Sequence, residues 1–255
     1  MKIVLASSNE HKVKEINAIT KGFGIEFILP PAGFDPIENG KTFEENSLIK
    51  AQEAWKISKT WTLADDSGLC IDALDGKPGI YSARYAETPQ KRIDRVLSEM
   101  NGIENRNASF NCAMTLINPD GEVAFTYKGV CNGSIINEQR GINGFGYDPI
   151  FLLENSDKTM AELSDEDKNK VSHRAIALNK VIEFLVNNRQ EISVGKTYKH
   201  YKGNVYKIIA LAKHSETTED MIVYQSVEHG DIWVRPKSMW NEYVNDTKTL
   251  RFTLC

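Results

Sequence analysis

Lys2-Ile-Val-Leu-Ala6, then Ser7-Ser8-Asn9, then Glu10-His-Lys-Val-Lys-Glu-Ile-Asn-Ala-Ile19: these opening residues read as a buried strand, a polar turn and a helix with Val13, Ile16 and Ile19 on one face. A short apolar run followed by a 3.6-residue repeat is the pattern of an α/β domain. The same alternation continues downstream. Thr42-x-x-Glu45 is a capping box opening a helix on which Leu48, Ala51 and Trp55 share a face. Trp61 to Ala64 reads as the next strand and ends in Asp65-Asp66-Ser67-Gly68. Thr88-Pro89 is an N-cap with proline at the first helical position, ahead of an Ile93, Val96, Leu97, Met100 stripe. Ser109 to Ile117 and Val123 to Val130, joined by Asn118-Pro-Asp-Gly121, form a β-hairpin. Leu178, Val181, Ile182 and Leu185 mark a last amphipathic helix, which ends in polar Asn187 to Gln190.

Beyond that point the pattern turns strand-like, at Val205 to Ala212, Met221 to Tyr224 and Ile232 to Val234, and it holds Trp233 and Trp240. The division expected is an α/β body over 1–190 and a small β-rich domain over 191–255. A unit of that size rarely folds strongly alone, so it is expected to pack on the body or on a partner, with exposed tryptophans available to cover apolar surface.

The chain has 255 residues, enough for a large buried core, with 41% hydrophobic and 26% charged residues. A net charge of −4 argues against a nucleic-acid partner, which would call for clustered Lys and Arg, but leaves room for a small anionic ligand. Cys70, Cys112, Cys131 and Cys255 are scattered, as free thiols in a reducing compartment would be. The apolar start stops at Ser7, too early for a signal peptide, and no run reaches membrane-spanning length, so the expected setting is cytoplasmic with no membrane partner.

No P-loop, His-Glu-x-x-His or Gly-x-Ser-x-Gly motif is present. Four less generic patches are. Ser7, Ser8, Asn9, Glu10, His11 and Lys12 bring hydroxyls, an amide, helix-start N–H groups and a cation together, which suits a phosphate; a plain polar N-cap would look the same. Asp65-Asp66-Ser67-Gly68 offers adjacent carboxylates that suit Mg²⁺ and an oriented water, or a simple turn. Glu38, Glu44 and Glu45 are candidates for a second carboxylate, with Lys50 on the helix behind them. Gly141 to Pro149 is a glycine-rich loop in which Phe145 or Tyr147 can stack on a base. Lys168, Ser172, His173 and Arg174 gather donors just before the last helix.

Ser-Ser-Asn-Glu-His-Lys at 7–12, Ala-Asp-Asp-Ser-Gly-Leu at 64–69, Gly-Lys-Pro-Gly-Ile-Tyr-Ser-Ala-Arg-Tyr at 76–85, Gly-Phe-Gly-Tyr-Asp-Pro at 144–149 and Ser-His-Arg at 172–174 occur in this order. The set resembles the inosine triphosphate pyrophosphatase (Ham1-like) family over residues 1 to about 188. The resemblance implies an elongated mixed central sheet flanked by helices, a cleft between two lobes, and a homodimer. It implies hydrolysis of ITP, dITP and XTP to the monophosphate and pyrophosphate, in preference to the standard nucleotides. By it, Ser7 to Lys12 and Lys50 bind triphosphate, and Asp66 is proton acceptor and Mg²⁺ ligand with Glu38. Ser67 contacts substrate, and Phe145, Gly146, Tyr147, Asp148, Lys168, His173 and Arg174 bind base and phosphate. One departure is Ser7-Ser8-Asn9, where the family commonly has Thr-Gly-Asn. A keto oxygen at purine position 6 would pair with a donor such as a backbone N–H or Arg174, and adenine's amine would not.

The C-terminal stretch, with Lys199-His-Tyr-Lys-Gly-Asn-Val-Tyr206 and Trp233-Val-Arg-Pro236, resembles a small bacterial domain of unknown function. Two rival functions stand beside the pyrophosphatase: a Maf-type enzyme acting on other modified nucleotides, and a non-catalytic nucleotide sensor. The Ser-His-Arg patch opposes the first. An intact Asp66, Lys12 and Lys168 oppose the second.

Overall fold

The computed structural model describes residues 1–8, 10–187, 192–240, 244 and 250–255, with the backbone only at 10, 11, 187 and 238. They fall into two compact units, Met1–Val181 and Ile182–Cys255. The boundary expected at 190 lies outside the described residues.

The first unit runs β1 (Lys2–Leu5), α1 (Glu10–Ile19), β2 (Glu26–Ile28), α2 (Phe43–Ser58), β3 (Thr62–Ile71), α3 (Pro89–Glu99), β4 (Asn107–Ile117), β5 (Val123–Ile135), β6 (Phe151–Leu153), α4 (Asp165–Val171) and α5 (His173–Asn187), the unit boundary falling inside α5. Its strands make one mixed six-stranded sheet in the order β2-β1-β3-β4-β5-β6. β1 is parallel to β2 and β3, and the rest pair antiparallel. The expected hairpin is present, with Gly121 N–H donating to the Asn118 carbonyl at 3.0 Å across its turn.

Local chemistry sets the helix starts. Thr42 Oγ1 accepts the Glu45 amide at 3.1 Å, and Thr88 Oγ1 accepts the Lys91 amide at 3.2 Å. The return arm of the first box differs from expectation, because Glu45 Oε2 accepts the amide of Lys41, one residue before the cap, at 2.6 Å. The buried side of α2 also differs. It carries Phe43, Asn46, Ser47, Lys50, Ala51 and Ala54, while Leu48 and Trp55 are only half-buried. Polar Asn46 and Lys50 face inward because buried carboxylates on β3 meet them there. Leu69, Ile71, Ile93, Val96, Phe110 and Phe151 form one apolar core around α3, and Val4, Ala6, Ala51, Ala54 and Ala64 a second under α2. At Gly68 a Cβ would overlap the Gly79 carbonyl oxygen, so glycine is what lets the 3-10 helix Gly79–Arg84 lie against β3.

The second unit is an antiparallel sheet of β7 (Thr197–His200), β8 (Val205–Lys213), β9 (Asp220–Ser226), β10 (Ile232–Pro236) and β11 (Phe252–Leu254), ordered β10-β9-β8-β7-β11. β7 and β11 escape the sequence pattern because they are short. Trp240 is fully buried there, stacked on Phe252 at 4.0 Å and edge-on to Tyr198 at 5.3 Å. The expectation of two exposed tryptophans is therefore corrected: Trp240 is the centre of the unit's own aromatic core, and Trp233 is the exposed one. All four cysteines are free. Among the described residues, no helix is long and apolar enough to cross a membrane.

Candidate active site

β1 pairs with β3 only at Val4–Thr62 and Leu5–Leu63. Past that point β3 keeps β4 on one side and loses its parallel neighbour on the other. Asp65 and Asp66 sit just beyond the C-terminal end of β1, where open α/β sheets place ligands. They do not end a strand, as expected from the sequence. β4 pairs with β3 without a break from Thr62–Ile117 to Ile71–Ala108, so the Asp-Asp-Ser-Gly stretch is strand throughout.

Side chains alternate across a strand, and the two carboxylates find different partners. Asp66 Oδ1 accepts from Lys50 Nζ at 2.9 Å, and its Oδ2 accepts from Asn46 Nδ2 at 3.2 Å. Asn46 Oδ1 also accepts the Gly40 amide at 2.9 Å, tying the loop that carries Glu38 to α2. Glu38 Oε1 lies 3.3 Å from Lys50 Nζ, so one ammonium bridges two carboxylates. Glu45 is spent on the helix cap and Glu44 lies 3.4 Å from Lys128. Of the three candidate glutamates, only Glu38 joins Asp66. Burial raises the Asp66 pKa by more than Lys50 lowers it. For Lys50, burial alone would lower the pKa, but Asp65, Asp66 and Glu38 outweigh it and the net shift is upward.

Asp65 is fully buried and accepts from Lys12 Nζ at 3.0 and 3.1 Å. Its Oδ2 also accepts from Arg174 Nε and Nη2 at 3.3 Å. Burial alone would raise its pKa, but Lys12, Arg174 and Lys50 hold it well below the usual carboxylate range. Arg174 is equally buried, with further contacts at 3.4 Å to Glu15 Oε2 and Ser67 Oγ, and its charge is locked in against the cost of burial.

The facing wall comes from the glycine-rich loop and α4–α5. Lys168 Nζ donates to Asp148 Oδ2 at 2.6 Å and stands 4.5 Å over the Phe145 ring. Asp148 Oδ2 also accepts the Phe145 amide at 2.8 Å, which fixes the loop. Phe145 is 58% exposed, whereas Tyr147 is 4% exposed and its hydroxyl donates to the Ser82 carbonyl at 2.9 Å. Of the two aromatics, Phe145 is thus the one with a face free for a base. His173 lies flat on Phe110 at 4.9 Å, and its Nδ1 has no hydrogen-bond partner among the described residues. Burial, reinforced by Arg174 and Lys168, holds its pKa well below the usual histidine value.

Most of these groups line one cavity of about 290 Å³, with Asp65 and Asn46 not on its wall. Lys12, Glu38, Lys50, Asp66, Ser67, Phe145, Gly146, Tyr147, Asp148, Lys168, His173 and Arg174 all reach it, so residues up to 162 positions apart in sequence (12 to 174) meet. Ser7 and Ser8 lie in the turn after β1 and are not on its wall. Asn9 lies outside the described residues, as do the side chains of Glu10 and His11. Sequence reasoning offered Asp65 and Asp66 together as carboxylates for Mg²⁺, but Asp65 is bound to Lys12 and Arg174 and is not on the wall; Asn46, Ser82 and Arg92 it missed. The adjacent-aspartate motif signals Asp65 but does not say which carboxylate is buried.

Residues 3–184 match the model of the Ham1 family. The chain belongs to the Ham1 family. Residues 196–254 match a protein family of unknown function, DUF1653. The dITP/XTP pyrophosphatase of Bacillus subtilis is 46% identical over 190 residues, covering 71% of this chain and 96% of that protein. That of Synechocystis is 43% identical over 180 residues, covering 71% of this chain and 93% of that protein. The structure of the Staphylococcus aureus Ham1 protein superposes with a TM-score of 0.68 at 39% identity, covering 74% of this chain and all of that one. This Ham1 chain therefore carries its family's fold in the first unit and appends a second family's unit to it.

Proposed function

We infer that this Ham1 chain hydrolyses ITP, dITP and XTP to the monophosphate and pyrophosphate, removing deaminated purines from the nucleotide pool. The observation that carries the reading is a single cavity joining a paired Asp66, a set of buried cations and an exposed Phe145 face, in a chain so similar to dITP/XTP pyrophosphatases.

In this reading the purine stacks on Phe145, with Lys168 and Asp148 fixing the loop beneath it. His173 and Arg174 approach the base edge, and the unpartnered Nδ1 of His173 gains a partner when the base arrives. His173 stays neutral, so it serves as a hydrogen-bonding group and not as a charge. Lys12 and Lys50 face the triphosphate, and Ser67 touches substrate. Asp66, with its raised pKa, takes the proton of the attacking water.

Mg²⁺ fits this donor set. Among the described residues no three His, Cys, Asp or Glu side chains form a cage; of the cavity's carboxylates Asp148 is bonded to Lys168, which leaves Asp66 and Glu38 for the metal. Mg²⁺ is commonly held by one or two carboxylates plus water and phosphate oxygens. When bound, it would neutralise phosphate charge and acidify water. A homodimer, a cytoplasmic setting, and a division into 1–190 and 191–255 complete the proposal.

Chromatography of products from ITP, XTP, dITP, dTTP and GTP checks it. The expected result is monophosphate plus pyrophosphate from the first three, far faster than from dTTP or GTP. Preference for dTTP would favour the Maf-type alternative, and no turnover of any would favour a sensor.

A further inference from the structure

The cations on the cavity wall differ in one respect. Lys12 pairs with Asp65, Arg174 with Asp65 and Glu15, Lys50 is bridged to Asp66 and Glu38, and Lys168 is bonded to Asp148. Each of these charges is answered by a carboxylate before any ligand arrives. Arg92, on the first turn of α3, is not. Its Nε donates to the Ala86 carbonyl at 3.0 Å, and neither terminal nitrogen has a partner among the described residues. Beside it on the wall, Ser82 has no donor to spare, since its Oγ donates to the Gly79 carbonyl at 2.6 Å and accepts the Leu69 amide at 2.9 Å.

A guanidinium anchored to backbone through Nε presents a rigid pair of N–H donors, the fork that matches two phosphate oxygens. The paired lysines add little net charge to the cavity, so the uncompensated positive charge of its wall sits on Arg92. A nucleoside triphosphate carries most of its negative charge on the β- and γ-phosphates.

We propose that Arg92 binds the β,γ-pyrophosphate part of the substrate and steadies it as it leaves. This rests on the pyrophosphatase reading above and extends it to the leaving group. The water oxygen bonds to the α-phosphorus and its proton passes to Asp66. The bond from that phosphorus to the bridging oxygen breaks, and the electron pair goes to the departing pyrophosphate. Arg92 meets the charge that grows there.

The test uses the full-length protein with Arg92→Gln and Arg92→Lys, assayed for ITP hydrolysis and for inhibition by IMP and by pyrophosphate. Wild-type turnover of ITP is measured first; its absence would remove the pyrophosphatase reading itself, whatever the variants do. Given turnover, Arg92→Gln should weaken pyrophosphate inhibition and lower kcat/KM by about tenfold or more, the scale of one charged hydrogen bond. Inhibition by IMP should stay within about twofold, and Arg92→Lys should recover part of the loss. Equal loss of IMP and pyrophosphate inhibition, or no loss of either, would overturn the proposal. Should Arg92→Gln fold poorly, the ratio of the two inhibition constants in Arg92→Lys decides alone: a change confined to pyrophosphate supports the contact, and an unchanged ratio refutes it.

Discussion

Asp65 and Asp66 are neighbours on β3, yet one is a fixed charge and the other a poised one. Asp65 faces Lys12 and Arg174, and these cations drive its pKa down despite complete burial. Asp66 faces a single lysine that it shares with Glu38, and burial prevails over that one cation. The difference teaches how one strand serves two ends: its pleat sends one carboxylate to hold elements together and the next to line the cavity. Asp65 joins α1 to α5, the two helices that supply Lys12 and Arg174.

The contrast predicts different failures. Asp65→Asn leaves Arg174, 3% exposed at its side chain, without its full counter-charge. Removing one partner of a buried ion pair typically costs about 3–5 kcal/mol. Thermal melting of the variant should fall by roughly 2–4 °C for each kcal/mol lost. An unchanged melting temperature would show that Asp65 holds nothing. The Asp65 contribution to stability belongs to a lowered carboxyl pKa. It is present above the unfolded value of about 3.9 and lost as pH falls through the lower folded value, so Asp65 contributes a constant term near neutrality.

A smaller effect belongs to His173. Its folded pKa lies below the unfolded value of about 6.5, so the unfolded chain takes up a proton that the native chain refuses. Stability should therefore fall as pH drops below about 6.5, by up to about 1.4 kcal/mol per pH unit from this residue. Urea midpoints at pH 7.5 and 5.5 should differ more in wild type than in His173→Gln. Equal slopes would mean that His173 titrates normally.

Much of this was legible in the residues. The strand-turn-helix of 2–19, the Thr42 and Thr88 caps and the 109–130 hairpin follow from apolar periodicity and turn chemistry. The less legible parts share a cause. α4 runs Asp165-Glu-Asp-Lys-Asn-Lys-Val171 and is polar nearly all round, so no stripe announces it; Ser164, accepting the Asp167 amide at 3.1 Å, starts it. α2 turns Asn46 and Lys50 inward because they answer Asp66, a partner 20 and 16 residues away. Arg92 stands among exposed Lys91 and Arg95 and reads as one more solvated cation until the fold puts it on the cavity wall.

The smallest expected effect concerns the C-terminal unit. The cavity residues all precede 175, and β7 to β11 keep their own aromatic core. A chain ending at Gln190 should keep kcat/KM for ITP within about twofold, as a separable domain would allow. A soluble truncated enzyme that lost most of its kcat would show that residues beyond 190 reach the site.

The division of labour on β3 is tested most directly at Asp66. Asp66→Asn keeps the side-chain volume and removes the charge proposed to take the proton. Steady-state hydrolysis of ITP by this variant, set beside its melting curve, should show kcat lower by at least ~10²-fold, the scale of a lost general base, with no loss of melting temperature. Turnover near the wild-type rate in a folded Asp66→Asn protein would contradict the account.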